Sequence, residues 1–272
     1  MLPTEEYVEQ AYMFKALMER MNADEPVQDL LGYLREEVLS TTKLPMAIDF
    51  LLAEVKQLGT MATAMKRLAH YFTPYQSFLV ATAEEDTGHF DMKIALELLY
   101  HEAKLRSQNA DRVSMFFYQF EVLCRHSLDY DYGMQAIAVD PIYDDRWQKW
   151  ILSVRHNIGT IEIANLVYLH SEHYVTKKAD HEPTPEIVLF GDKEGRIALA
   201  NRKKEPHYLF LALQRQLGYP PVPMRKKNDG LETLIPKMKR VLERLEVRVK
   251  LLEDEQRSAG IDLSKFYKDK EK

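Results

Sequence analysis

Cysteine is nearly missing from this chain. One residue of 272, Cys124, is a cysteine, so no internal disulfide can form and a disulfide-rich scaffold is excluded. Glycine and proline are sparse, at 10 and 12 residues, which excludes collagen-like and low-complexity compositions. No apolar run approaches the roughly 18–20 residues that a membrane-spanning helix needs. The most apolar stretches, Met115–Phe120 and Leu209–Leu213, are far shorter. The opening Met1-Leu2-Pro3-Thr4-Glu5-Glu6 lacks the basic region and long apolar segment of a secretory signal. These absences predict a cytoplasmic protein. Beside Val122 and Leu123, Cys124 reads as a buried, inert thiol.

Catalytic signatures are missing too. There is no Walker loop, no Gly-x-Ser-x-Gly and no His-Glu-x-x-His. The Glu-x-x-His pairs of a di-iron bundle are also missing. The sequence therefore predicts no catalytic residue, no cofactor and a non-enzymatic role.

What is present is a globular composition, 46% apolar and 29% charged, with a formal net charge of −5. That charge is unevenly spread. Residues 1–175 hold 15 basic and 26 acidic residues, residues 176–230 hold 11 and 7, and residues 231–272 hold 11 and 9. An acidic body argues against general nucleic-acid binding, while the basic middle leaves a local anionic partner open.

Residues 4–175 read as helices joined by short turns, a mainly α fold of antiparallel bundle type. Apolar stripes run through Tyr7, Ala11, Phe14 and Leu17, then Leu30, Leu31 and Leu34, then Ile48, Leu51 and Val55. Thr42 and Thr60 are the expected N-caps of two helices, and Gly59, Gly88 and Gly218 expected stops. Sliding the sequence on itself by 71 residues places Gly88 on Gly159, Phe72 on Tyr143 and Phe90-Asp91-Met92 on Ile161-Glu162-Ile163. This predicts a tandem repeat, with related units at about 40–105 and 111–175 in a helical domain of residues 1–175.

Residues 176–230 read as a linker, a β-hairpin and a short helix. The hairpin pairs Ile187–Phe190 with Arg196–Ala200 across Gly191–Gly195, and the helix covers His207–Leu217. Residues 231–258 carry a heptad, with Ile235, Leu242 and Val249 at a and Met238, Leu245 and Leu252 at d. That pattern predicts a coiled-coil-like helix able to self-associate, followed by a tail at 259–272.

Three clusters are candidate sites. His170 and His173, one helical turn apart, have the spacing to share a metal ion, or to serve a hydrolase; two surface histidines are the plainer reading. Glu84, Glu85, Asp86 and Asp91 surround Gly88 and could hold a hard cation. The plainer reading makes Glu84–Asp86 a solvated helix end and places Asp91 at the next helix start. Two basic triplets, Arg202-Lys203-Lys204 and Arg225-Lys226-Lys227, flank Tyr208, Phe210 and Tyr219 and could take an acidic protein face or RNA.

The segment Ala83-Glu84-Glu85-Asp86-Thr87-Gly88-His89-Phe90-Asp91 resembles the Ala-Gly-Glu-x-Ser-Gly-x-Leu-Asp signature of the type II secretion system F family. Gly59–Met65 resembles that family's Gly-x-Ser-Leu-x-x-Ala-Leu helix start, and Phe72-Thr73-Pro74 its Phe-Pro-Pro turn. Thr42–Ala47 resembles its Gly-Leu-Pro-Leu-x-x-Ala-Leu element. The family's members are inner-membrane platforms of secretion systems and type IV pili, and their membrane helices have no counterpart here. The resemblance implies their cytoplasmic helical module, with Glu85, Gly88 and Asp91 as the motif turn, and a protein partner such as a secretion or pilus assembly component. The expected function is a protein–protein interaction or scaffold protein.

Overall fold

Turn residues and caps divide the chain into short helices. The computed structural model describes residues 1–21, 26–85, 90–157, 162–178 and 187–223. The first helices are α1 (Thr4–Arg20), α2 (Val27–Glu37), α3 (Leu44–Leu58) and α4 (Met61–Arg67). They are followed by α5 (Pro74–Glu84), α6 (Met92–Ser107), α7 (Arg112–His126), α8 (Tyr130–Ala138) and α9 (Asp145–Asn157). The last are α10 (Ile163–Leu169), α11 (Glu172–Lys177), α12 (Asp192–Ala200) and α13 (Pro206–Leu217). The mainly α expectation holds, and among the described residues no helix is long and apolar enough to cross a membrane. The chain divides into two compact units, Met1–Arg225 and Lys226–Lys272. The second, with the heptad residues Ile235 to Leu252 and the tail, lies outside the described residues.

Local signals set many helix ends. Thr73 begins α5 with a reciprocal capping box to Gln76, and Pro74 occupies the first turn, where a missing N–H costs nothing. Asp91, Asp111, Asp129 and Ser171 accept backbone N–H bonds at the starts of α6, α7, α8 and α11. Gly59 and Gly218 close α3 and α13 in the left-handed region, at φ 75° and 72°.

Two helix starts are capped from far away instead. Thr42 does not cap α3; its hydroxyl donates to Leu39 O at 2.7 Å. The Glu6 carboxylate of α1 accepts from Lys43 N at 2.8 Å. Thr60 makes no cap bond at α4. There Glu84, at the end of α5, accepts from Met61 N at 2.5 Å and Ala62 N at 3.0 Å. A carboxylate delivers more charge to a helix N-terminus than a hydroxyl does, so the remote acids displace the local threonines.

The expected β-hairpin does not form. Asp192–Ala200 is helix α12, and the only pairing of Ile187–Phe190 among the described residues is a parallel bridge from Phe190 to Ser171. Asp192 and Glu194 suit the first turn of a helix, and Lys, Glu, Arg, Ala and Leu are strong helix formers. An isolated hairpin is marginal in water, and Phe190 gains more by burial. Its ring lies 5.0 Å from Trp150 and 5.5 Å from Trp147. Phe116 and Phe120 extend this aromatic cluster, so residues 187–223 share the core of the preceding helices. Tyr219 pins the end of α13 to α7 by donating to Glu121 Oε2 at 2.8 Å.

Cys124 differs from expectation in position, not in chemistry. It lies at the surface. Crowding by neighbouring atoms and the nearby Glu121 push its thiol up to about 12, so it stays protonated.

Candidate functional site

A groove of about 830 Å³ runs between α5 and α8. One wall is a helical stripe of α5: Pro74, Ser77, Phe78, Ala81, Thr82 and Glu85. These sit at i, i+3, i+4, i+7, i+8 and i+11, the spacing of one helix face. The facing wall carries Asp129, Tyr132, Gln135, Ala136 and Val139 from α8 and its caps. The buried residues Phe72, Phe90, His126 and Leu128 form the floor. Ser77, Ala81, Thr82 and Ala136 are small, so an incoming chain can approach both backbones closely.

The rim carries large apolar groups in water. Tyr132 is 68% and Val139 59% exposed. Such residues beside a largely apolar groove mark a surface that gains by being covered.

Contacts fix the direction of the two walls. At one end, Phe90, just past α5, packs edge-on to His126, just before α8, at 5.4 Å. At the other end, Tyr75 at the start of α5 and Tyr143 beyond α8 both reach Gln119; the Tyr143 hydroxyl donates to its Oε1 at 2.8 Å. The walls are therefore antiparallel, with Glu85 and Asp129 at the same end.

A buried polar network ties the opposite end. Gln76 of α5 donates to Glu102 Oε2 at 2.8 Å. Arg106 donates to Glu102 Oε1 through Nε at 2.9 Å and Nη2 at 2.6 Å, and to Asp140, just past α8, through Nη1 at 3.2 Å and Nη2. Gln119 donates to Asp140 Oδ2 at 3.2 Å. The side chains of Glu102 and Arg106 are 0% exposed. Burial opposes the guanidinium charge, but Asp140 and Glu102 outweigh it and hold Arg106 well above its ordinary value. No motif marks these residues; a charged pair at positions 102 and 106 looks like an ordinary surface i, i+4 pair.

The sequence-derived candidates fall elsewhere. His170 Nδ1 lies 2.8 Å from Leu166 O, and His173 Nδ1 lies 2.7 Å from Asp192 Oδ1. Each ring is held by its own partner, and the described residues contain no cluster of three or more metal-ligating side chains. Asp91 caps α6, accepting from Lys93 N at 2.8 Å. Glu85 is exposed at the end of α5 and lines the groove, whereas Gly88 lies outside the described residues. Glu84, read as part of a solvated helix end, is instead partly buried as the cap of α4. Burial raises its pKa, partly offset by the Ala62 and Met61 N–H groups and Lys66.

Arg202 is engaged on the body: it bonds Asn165 and lies over the Tyr168 ring at 4.9 Å. Lys203 N donates to Glu162 Oε2 at 2.8 Å. Lys204 is exposed, and Arg225, Lys226 and Lys227 lie outside the described residues. The groove has no motif in the sequence. Its α5 stripe is visible as a spacing, but nothing in the sequence says that no helix among the described residues covers this face.

No protein-family model, curated protein or solved structure matches the chain.

Proposed function

We propose that this chain is a non-enzymatic protein-docking module whose binding face is the groove between α5 and α8. The observation that carries this reading is the pairing of two antiparallel helical stripes with Tyr132 and Val139 exposed at their rim. A groove of this form suits a helix laid along it, anchored by apolar side chains at helical spacing.

Two related helical units would make up the module. The starts of α3, α4, α5 and α6 precede those of α7, α8, α9 and α10 by 68, 69, 71 and 71 residues. The four segments that resemble the secretion-platform family also fall at or beside helix boundaries: the starts of α3 and α4, the cap of α5, and the α5 end with the α6 cap. The resemblance, rather than these placements, is what points to a secretion or pilus assembly component as the partner. Self-association through Leu242, Leu245 and Val249 would add a second copy. Leu245→Glu then lowers the solution mass measured by light scattering, and an unchanged mass removes that part of the proposal.

The docking reading is tested with a photo-crosslinking amino acid at Tyr132 and, as control, at Tyr33 on α2. Discrete protein adducts at Tyr132, lost on Ala81→Trp, are expected. A Tyr132 pattern that matches Tyr33 or ignores Ala81→Trp sinks the reading.

A further inference from the structure

The two ends of the groove differ in charge. At the end where Phe90 meets His126, two exposed carboxylates line it, Glu85 and Asp129. Asp129 uses Oδ1 to accept from Tyr132 N at 2.9 Å. Lys66 lines the groove from α4, where it lies in the field of Glu84, so the acidic pair keeps its excess. Apolar and small side chains line α5 between the groove's ends. A helix N-terminus carries a partial positive charge and favours acidic surroundings.

Resting on the docking reading above, we propose that the groove takes an amphipathic partner helix in one direction. Its basic N-terminal turn meets Glu85 and Asp129, and it lies antiparallel to α5. The wall of α5 is 11 residues long, or about 16 Å at 1.5 Å per residue, so the occupant engages about three turns. Its apolar stripe lies over Phe78 and Ala81, with Tyr132 and Val139 closing on its flanks.

The test uses the full-length protein and two labelled synthetic helices of identical composition and about 14 residues, both end-capped. Both carry leucines at i, i+3, i+4 and i+7 and a side-chain staple that holds them equally helical, since lysines in a first turn oppose the helix's own dipole; one has two lysines in its first turn, the other in its last. Fluorescence anisotropy should show the first binding about fivefold more tightly. Glu85→Lys should abolish or reverse that preference. Both Ala81→Trp and Val139→Glu should weaken the first peptide; the exposed position of Val139 makes the latter a block that spares the fold. Equal affinity of the two peptides, or a preference indifferent to Glu85→Lys, overturns the direction. Binding of neither peptide overturns the helical occupant, and if Tyr132 adducts persist the docking reading survives it. A solution mass that falls on Val139→Glu makes a second copy of this chain the occupant and replaces the proposed partner.

Discussion

Arg106 and Asp140, 34 residues apart in sequence, meet as a two-pronged ion pair with both side chains fully buried. The pair joins α6 to the segment beyond α8, and through Glu102 and Gln76 it reaches α5. It therefore ties the two groove walls together at the end opposite Glu85 and Asp129. Stability is a separate matter, because a buried ion pair can cost as much in desolvation as it returns in attraction. Removing one member is still severe, since its partner is left charged and dry.

Arg106→Met should lower the unfolding free energy by about 3–5 kcal/mol. Arg106→Lys keeps the charge but loses the fork and should fall between that variant and the parent. Urea unfolding followed by far-UV circular dichroism measures both. A loss near zero for Arg106→Met would mean that the network adds nothing to stability.

Glu84 gives a pH signature. Its folded pKa lies above the ordinary glutamate value because burial outweighs the bonds from Ala62 and Met61. A raised folded pKa means that its contribution is fully present below the ordinary value and is lost as pH rises through the raised one. Glu84→Gln should therefore flatten the stability–pH curve across that window. Above the window, where the parent carries a carboxylate charge that burial disfavours, the variant should match or exceed the parent in stability. Melting temperatures of both proteins across the acidic range decide the point.

Two glycines should respond with opposite signs. Gly195 lies where α12 crosses α11, and an added Cβ would stand 2.2 Å from Ser171 Oγ and 2.6 Å from His173 Cβ. Gly195→Ala should cost about 1–3 kcal/mol through overpacking. Gly32 lies inside α2 with nothing within 4 Å of its Cβ position. Gly32→Ala should stabilise by about 0.5–1 kcal/mol by restricting the unfolded chain. Denaturant midpoints of the two variants should move in opposite directions.

Cys124 should be slow to alkylate although it is at the surface. With the thiol pushed up to about 12, little thiolate exists near neutral pH. Iodoacetamide should label the native protein far more slowly than the urea-unfolded protein at the same pH. The native rate should climb only in strongly alkaline buffer. Equal rates in the two states would show that its surroundings do not raise the thiol.

Much of this fold was legible because helical spacing and punctuation are local. Gly59, Thr73, Asp91 and Gly218 act within a few residues of themselves. Segment 187–200 misled because alternating Arg196-Ile197-Ala198-Leu199 fits a strand as well as a short helix, and only the burial of Phe190 and the tight seat of Gly195 decide between them. The caps from Glu6 and Glu84 were illegible for a different reason: each acts across tens of residues. The histidine pair had the right spacing for a metal, but Leu166 O and Asp192 hold the two rings apart in role. The groove depends on which helix faces stay uncovered, which is a property of the assembled bundle.

The remote caps also bear on the order of events in folding. The starts of α3 and α4 cannot be finished until α1 and α5 have docked against them. Caps completed that late predict low φ-values at Glu6 and Glu84: their loss should hasten unfolding while refolding keeps its pace, as chevron kinetics of the two variants would read. The two acidic residues would then be latches on a bundle already assembled, governing the native lifetime of the molecule more than its speed of formation.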